Sequence, residues 1–246
     1  MSKKVLLING SPRKKNTYGL LAQVEKILKE RGIETEFLNL YDYKINDCCG
    51  CEACIYKNDG CECGVKDDMP LLKQKFMDSD GIVFGSPVYM RGVTSKLKAF
   101  ADRTCSWFHK PEPAGKAVLF VTVTASTGIK ETEKFYQGFA TGFGARTGGF
   151  ISRKENMLVQ PVREKELSRF LSLLEKDKKE YRPKMNELVI FQVQKVLAVR
   201  SGREDKAFWE QKEWLDKLYY YKCKINLGKK LFSKMMFKIL TKALNK

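Results

Sequence analysis

The cysteines are the first residues in this sequence that could do chemistry. Six of the eight cysteines in the 246-residue chain lie between Asp47 and Asp68. Cys48, Cys51 and Cys54 have the spacing CxxCxxC, which lets three thiolates surround one Fe₄S₄ cube while a fourth comes from further along the chain. Zinc is a second candidate, although structural zinc usually takes two CxxC pairs separated by a longer span. A third interpretation leaves the thiols free.

The expected location of the chain bears on these cysteines. The N-terminal apolar run is only about five residues long and lacks the cleavage pattern of a signal peptide. No run of eighteen apolar residues occurs, so we expect no transmembrane helix. We therefore predict a cytoplasmic protein, in which clustered cysteines favour metal or redox chemistry over a disulfide framework.

A polar loop after the first apolar run is a candidate anion site. Lys3–Asn9 predicts a strand, and the sequence GSPRKKNT follows it over Gly10–Thr17. Such a loop exposes backbone N–H groups, and the start of the next helix adds a partial positive charge, so a phosphate would fit. The side chains that could contact it are Ser11, Arg13, Asn16 and Thr17. The alternative is an ordinary strand-to-helix turn, because neither a Walker loop nor GxGxxG is present.

The elements that position these loops alternate along the chain. Predicted strands are Lys3–Asn9, Glu34–Leu40, Gly81–Phe84, Ala117–Thr124 and Gly148–Ser152. Predicted helices between them are Thr17–Gly32, Met69–Met77, Thr94–Asp102 and Glu131–Phe143. This alternation predicts an α/β fold, a doubly wound five-stranded parallel sheet whose ligands lie at the carboxyl ends of the strands. Three loops reach that edge: Gly10–Thr17, Gly85–Gly92 and Ala125–Gly128.

The C-terminal part of the chain differs in charge. Residues 176–246 carry a net charge of +11, against +6 for residues 1–175. We predict one domain over 1–175, with its cysteine-rich loop at 47–68, and a basic, mainly helical extension over 176–246. Leu188–Val199 could be a strand or a helix, whereas Leu227–Leu244 predicts an amphipathic helix with a lysine at every fourth residue. We expect its apolar stripe to pack in the core or between subunits rather than on a membrane, and we expect no nucleic-acid binding.

Two motifs give the sequence a family resemblance. GSPR followed by Asn16-Thr17 stands after the first strand, and Ser86-Pro87-Val88-Tyr89 stands after the third, leading into LKAFADR. Together they resemble the NADPH-dependent FMN reductase and iron–sulfur flavoprotein group. The resemblance runs from about Lys3 to Ser152 and implies a flavodoxin-like fold.

The resemblance implies a role for each loop. It assigns the FMN phosphate to Ser11, Arg13, Asn16 and Thr17, the flavin ring to Pro87, Val88, Tyr89 and Met90, and the pyrimidine end of the ring to Ser126, Thr127 and Gly128. Two departures are visible. Lys15 stands where the family often has a glycine, and the third loop keeps only one glycine.

The resemblance also implies a cluster. Members of the iron–sulfur branch have CxxCxxC and a fourth cysteine shortly before Asp-Asp-Met, which here is Asp67-Asp68-Met69. Cys48, Cys51 and Cys54 would be ligands. Cys61 has the nearer spacing for the fourth, but Cys63 has the better register to Asp-Asp-Met and is slightly preferred. Cys49 has no counterpart.

These observations predict an FMN-dependent oxidoreductase that passes electrons between flavin and a 4Fe-4S cluster. NAD(P)H or a reduced carrier protein would be the donor, and a homo-oligomer, dimer or tetramer, is expected. No catalytic side chain is predicted, because the flavin itself is the reactive group. One alternative is a metal-free NAD(P)H-dependent FMN or quinone reductase. Another is a flavin-binding redox sensor docked through its basic tail.

Overall fold

The computed structural model describes residues 2–56, 63–201 and 204–244. The strands are β1 (Lys4–Asn9), β2 (Glu34–Asn39), β3 (Gly81–Pro87), β4 (Ala117–Thr124) and β5 (Arg146–Lys154). The helices are α1 (Asn16–Glu30), α2 (Ala53–Tyr56), α3 (Met69–Met77), α4 (Ser95–Asp102), α5 (Ser106–His109), α6 (Ile129–Gly142), α7 (Glu164–Glu175), α8 (Met185–Ser201), α9 (Glu204–Gln211) and α10 (Leu227–Leu244).

All five strands run parallel in the order β2-β1-β3-β4-β5. This is the flavodoxin-like order: β2 lies on one side of β1, and β3, β4 and β5 follow one another on the other side. The predicted fold class is confirmed. Because the sheet is parallel, the carboxyl ends of β1, β3 and β4 lie side by side at one edge, and the three predicted loops leave from there.

Most predicted elements differ from the observed ones by one or two residues, and the larger differences have local causes. The third strand continues past Phe84 to Pro87, because Ser86 and Pro87 still pair with Thr122 and Val123 of β4. The ambiguous segment Leu188–Val199 is helical and belongs to α8. A buried helix shows the same apolar run as a buried strand, so periodicity alone could not separate the two.

Helices cover both faces of the sheet. One core contains buried side chains of α1 and α7, and the other contains those of α3, α4 and α6. Gly148 of β5 lets α7 approach closely, since a Cβ there would lie only 2.8 Å from the Cα of Phe170. The two cores leave the carboxyl edge free for the loops.

The chain after α7 forms a third hydrophobic cluster of its own, rich in aromatic residues: Tyr181, Leu188, Phe191, Ala198, Trp209, Trp214, Tyr219 and Tyr220. It joins the rest of the molecule through apolar packing on Ala114 and Leu173 and through polar contacts. Trp209 Nε1 donates a hydrogen bond to the carbonyl of His109 at 2.8 Å, and Gln194 Nε2 donates to that of Gly142 at 2.6 Å. The domain boundary near residue 175 stays a prediction.

Helix α10 packs on α8 through one face only. Ser233 is buried there, whereas Leu227, Leu231, Met235 and Ile239 are between 50% and 72% exposed. Part of the stripe predicted for the core therefore faces solvent in the single chain. No helix among the described residues is both long enough and apolar enough to cross a membrane.

Candidate functional site

Hydrogen bonds join the first and second of the three loops at the carboxyl edge. The N–H of Gly10 donates to the carbonyl of Gly85 at 2.7 Å. Thr94, just before α4, donates from Oγ1 to the carbonyl of Gly10 at 2.6 Å, and its N–H donates to Ser86 Oγ at 3.2 Å. The first and second loops are therefore held at a fixed separation.

The first loop presents unsatisfied donors. Asn9 Oδ1 accepts from the N–H of Ser11 at 3.1 Å, and Ser11 Oγ accepts from the N–H of Arg13 at 3.2 Å, which curls the chain before α1. The residue before α1 is Lys15, and no side chain caps the helix. The first N–H groups of a helix lack partners within the helix, so this end of α1 offers donors and a partial positive charge to an anion.

The second loop has an unusual backbone. Val88 donates its N–H to the carbonyl of Val123 at 2.8 Å, and Tyr89 and Gly92 exchange two backbone hydrogen bonds of 2.9 Å each. Between them, Met90 has φ 46° and Arg91 has φ 62°. A two-residue turn with both central φ angles positive normally carries Asn or Gly. Such strain persists only where the surroundings impose it, and it concentrates at functional sites.

The third loop packs against the second. Gly128 has φ 90°, and a Cβ on it would lie 2.6 Å from Val88 Cγ1 and 3.1 Å from the Cα of Arg91. Arg91 also forms an ion pair with Glu131 in the first turn of α6. The glycine is required both by its backbone angle and by the space available.

A cavity of about 200 Å³ lies between the three loops. Seven of the residues predicted to bind FMN line it: Ser11, Arg13, Asn16, Thr17, Pro87, Val88 and Tyr89. Met90 is fully exposed at the turn, Ser126 and Thr127 are exposed, and Gly128 is buried behind Val88; none of these four lines the cavity.

Five residues beyond the predicted FMN contacts also line the cavity; two of them belong to the predicted loops, and the full set is Lys15, Val123, Thr124, Ala125 and Glu155. Val123 and Thr124 form the end of β4, where the strand-end rule could have found them. Glu155 follows β5, and its Oε1 accepts a hydrogen bond from Asn16 Nδ2 at 3.4 Å. No local sequence signal connects Glu155 with a loop some 140 residues earlier.

The cavity has the donor set that FMN requires. Uncapped helix N–H groups, Arg13 and Lys15 suit a phosphate at one end. The aromatic ring of Tyr89 and the aliphatic side chain of Val88 offer flat and apolar surface at the other end. FMN has an anionic phosphate at one end and a planar ring at the other, so the two ends of the cavity match the two ends of the cofactor.

The cysteine loop follows β2 at the same edge of the sheet. Cys48 and Cys51 are exposed, Cys54 and Cys63 are half-buried, and Cys61 lies outside the described residues. Burial raises the pKa of Cys54, and the nearby thiols of Cys63, Cys48 and Cys51 raise it further. The sulfurs of Cys63, Cys48 and Cys51 are therefore close enough to Cys54 to act on it electrostatically. Nevertheless, no three His, Cys, Asp or Glu side chains in residues 2–56, 63–201 and 204–244 converge on one metal-binding point.

Arg103, at the end of α4, closes the cysteine loop. Its guanidinium forms a bidentate ion pair with Asp67, and both side chains are almost wholly buried. Nη1 also donates to the carbonyl of Asn46 at 3.0 Å, so both ends of the loop meet at one side chain. Burial alone would raise the pKa of Asp67, but the hydrogen bonds from Arg103, Asn46 and Met69 lower it overall.

Arg103 and Cys105 also act on the cysteine loop, although neither was predicted to be a site residue. Burial lowers the pKa of Arg103, but the ion pair with Asp67 raises it overall, and the nearby Cys63 adds to that rise. Cys105 is isolated in sequence, yet partial desolvation of its thiol raises its pKa, and the charges of Cys54 and Cys48 raise it further. Both residues come from α4 and the turn after it, far from the cysteine loop in sequence.

Comparison with known proteins decides the family. The family model described as NADPH-dependent FMN reductase matches residues 3–148. The chain belongs to the NADPH-dependent FMN reductase family. The predicted enzyme class, a flavin-dependent oxidoreductase, is thereby confirmed.

Individual members of the family show how far the likeness extends. An iron–sulfur flavoprotein of Archaeoglobus fulgidus is 35% identical over 158 residues, which cover 59% of this chain and 70% of the relative. An iron–sulfur flavoprotein of Clostridioides difficile is 26% identical over 210 residues, 83% of this chain and 91% of the relative. Several archaeal relatives are matched over only about half of their length.

A solved structure extends the fold comparison to nearly the whole chain. The crystal structure of RosB with bound 8-demethyl-8-formylriboflavin-5'-phosphate superposes with a TM-score of 0.54 and 13% identity, covering 92% of each chain. At this identity the likeness concerns the fold alone. Because the coverage is 92%, that likeness reaches into the helices after α7.

Proposed function

We propose that this family member binds FMN in the cavity between the three loops and passes electrons between the flavin and a 4Fe-4S cluster held by the cysteine loop. The observation that carries the proposal is the cavity itself. It combines the uncapped start of α1 with the strained turn after β3, at the edge of the sheet where doubly wound folds bind ligands.

In this proposal Ser11, Arg13, Asn16 and Thr17 bind the phosphate of FMN, together with Lys15. Pro87, Val88 and Tyr89 contact the ring, and Met90, Ser126, Thr127 and Gly128 complete its surroundings. When bound, FMN would supply two-electron chemistry and the cluster one-electron chemistry. The protein's own part is to orient the ring and exclude water from one of its faces.

The cysteine loop supports the second cofactor by its chemistry. Thiolates are the ligands of 4Fe-4S clusters, and Cys48, Cys51 and Cys63 are close enough to Cys54 to influence its pKa. Cys61 remains the alternative fourth ligand. The names of the relatives from Archaeoglobus and Clostridioides, both iron–sulfur flavoproteins, support the same proposal. NAD(P)H or a reduced carrier protein is proposed as the donor.

Metal and flavin content under anoxic conditions tests the proposal. We expect about one FMN and four irons per chain, and broad visible absorbance that bleaches on reduction. Cys48→Ser and Cys51→Ser should lose iron while keeping flavin, whereas Cys223→Ser, far from the loop in sequence, should keep both. A colourless protein that takes up neither FMN nor iron would overturn both parts.

A metal-free NAD(P)H-dependent FMN or quinone reductase is the second candidate. One observation favours it: no three potential ligands converge among the described residues. Iron content separates the two, because this candidate predicts FMN without iron and NAD(P)H oxidation that is unaffected by Cys51→Ser.

A further inference from the structure

A second cavity lies at the opposite edge of the sheet from the flavin loops. It has a volume of about 600 Å³ and opens where β3, β4 and β5 begin. Its walls come from the ends of α3 and α7 and from the turn before β4, and it shares no residue with the flavin cavity. Its polar lining includes Lys3, Lys116, Arg146 and Lys178.

Arg146 is the decisive residue of this second cavity. It is only 5% exposed, and its Nε donates to the carbonyl of Gly115 at 2.7 Å. Within the described ranges, Arg146 takes part in no ion pair, and its one side-chain hydrogen bond is that of Nε, which leaves the Nη atoms without a protein acceptor. Burial lowers the pKa of Arg146, because the groups around it offset only part of the cost of removing its positive charge from water. A buried guanidinium normally has an anionic partner, since leaving it unpaired is costly.

Two lysines add to this charge. Lys116 Nζ donates to the carbonyls of Met77, at 2.8 Å, and Ser79, and burial lowers the pKa of Lys116 to about 8. Lys178 lies at the rim above the ring of Tyr221, 5.7 Å from its centroid. Partial burial together with the charge of Arg146 lowers the pKa of Lys178. The cations therefore repel one another across the cavity.

Most carboxylates in the walls are already engaged. Asp80 accepts from Lys3 Nζ at 3.0 Å and from the N–H of Lys4 at 2.9 Å. Asp177 accepts from the N–H of Lys179 at 2.9 Å, and Asp78 accepts from Gln74 Nε2 at 2.8 Å. Glu175, the remaining carboxylate of the lining, is exposed, and among the described residues none of the four forms an ion pair with Arg146, so its charge is left for a ligand.

We propose that this cavity binds a phosphoryl group, carried by inorganic phosphate or by a small phosphate ester. The free Nη atoms of Arg146 would bind two of its oxygens, the bidentate geometry that guanidinium groups favour. Lys116 and Lys178 would contact the remaining oxygens. Because the walls include both the sheet and the segment after α7, the bound anion would link the extension to the rest of the chain.

Calorimetric titration of the purified protein at constant ionic strength tests this proposal. The probes are inorganic phosphate, adenosine monophosphate and adenosine. We expect saturable binding of phosphate or of the monophosphate, and none of adenosine. Tighter binding of the monophosphate would identify an ester as the ligand, and equal or tighter binding of phosphate would identify the free anion.

Variants locate the binding. Arg146→Lys should weaken it by about tenfold, since the bidentate contact is lost. Lys178→Met, at the rim where folding is not at risk, should weaken it by about fivefold. The matched control Lys134→Met, on the exposed face of α6, should bind as the wild type does.

A further control separates this site from the flavin site. Arg13→Met changes the first loop and should leave the titration unchanged, even if it impairs FMN uptake. Binding that is lost in Arg13→Met but kept in Lys178→Met would overturn the proposal, as would the absence of saturable binding in the wild type.

Discussion

Gly128 is the residue at which the second and third loops approach most closely. A methyl group there would lie 2.6 Å from Val88 Cγ1, closer than a packed core tolerates, and in a tight contact of 3.1 Å with the Cα of Arg91. It would also force a side chain into a left-handed conformation. The loop that carries Tyr89 would have to move away, and the flavin cavity would change shape.

We therefore predict that Gly128→Ala weakens FMN binding by about tenfold or more, measured by quenching of flavin fluorescence. Gly138→Ala is the matched control. Gly138 lies within α6, the helix that begins directly after Gly128, and no atom lies within 4 Å of its missing Cβ. There alanine should leave FMN binding unchanged and stabilise the protein by about 0.5–1 kcal/mol. Equal FMN affinity in the two variants would contradict this account of the loops.

Arg103 gives a second prediction at this scale. Arg103→Met leaves Asp67 buried without its partner, so the free energy of unfolding should fall by about 3–5 kcal/mol. Lys98→Met, which breaks an exposed pair with Asp102 on the same helix, should cost less than about 0.5 kcal/mol. Urea denaturation measures the free energy of unfolding of both variants. Similar losses in the two would show that the buried pair contributes no more to stability than the exposed one.

At the scale of elements, a cluster of charges joins β1, β2 and α3. Glu36 of β2 forms ion pairs with Lys4 at 2.9 Å and with Lys75 of α3. The hydrogen bond from Lys75 is the largest influence that lowers the pKa of Glu36. A carboxylate with a lowered pKa stabilises the fold above its ordinary value of 4.5, and this contribution is lost as the pH falls through its folded value.

Glu36→Gln should therefore cost about 1 kcal/mol near neutral pH, because the pair is only partly exposed. The difference from the wild type should shrink steadily below about pH 4.5. Denaturation midpoints across a pH series would check this. Glu34→Gln, two residues earlier in β2 and without an ion pair among the described residues, should show no such trend.

The elements were largely predictable because each carries its own periodic pattern. Met69–Met77 and Ala117–Thr124 have the predicted limits, since Pro70 and the buried run AVLFVTVT fix them locally. The site was predictable only where it follows strand ends. Glu155, Arg103 and Cys105 reach it through packing between distant segments, which no local pattern encodes. The helical state of α8 was likewise decided by tertiary packing.

At the scale of the whole molecule, the exposed stripe of α10 is the surface on which the predicted homo-oligomer depends. Leu231 and Met235 are 61% and 50% exposed, and lysines flank them. If two copies met here, burial of the apolar side chains would favour association, and repulsion between their lysines would oppose it. Self-association through this stripe should therefore strengthen as salt screens the charges.

The double variant Leu231→Gln/Met235→Gln should shift the protein toward the monomer in sedimentation velocity. Lys230→Gln/Lys234→Gln, on the flank of the same helix, should instead favour association at low salt. An oligomer that is unchanged in both variants would show that subunits meet elsewhere, and a wild type that is monomeric throughout would contradict the predicted homo-oligomer.

The buried pair of Arg103 and Asp67 has one more consequence. Because Asn46 and Asp67 are held to a single guanidinium, the twenty residues between them start and finish at fixed points. Evolution could lengthen or shorten that stretch without disturbing the path of β2 or α3. Among homologues, insertions and deletions should gather inside this interval, while the arginine and the aspartate that bracket it persist together.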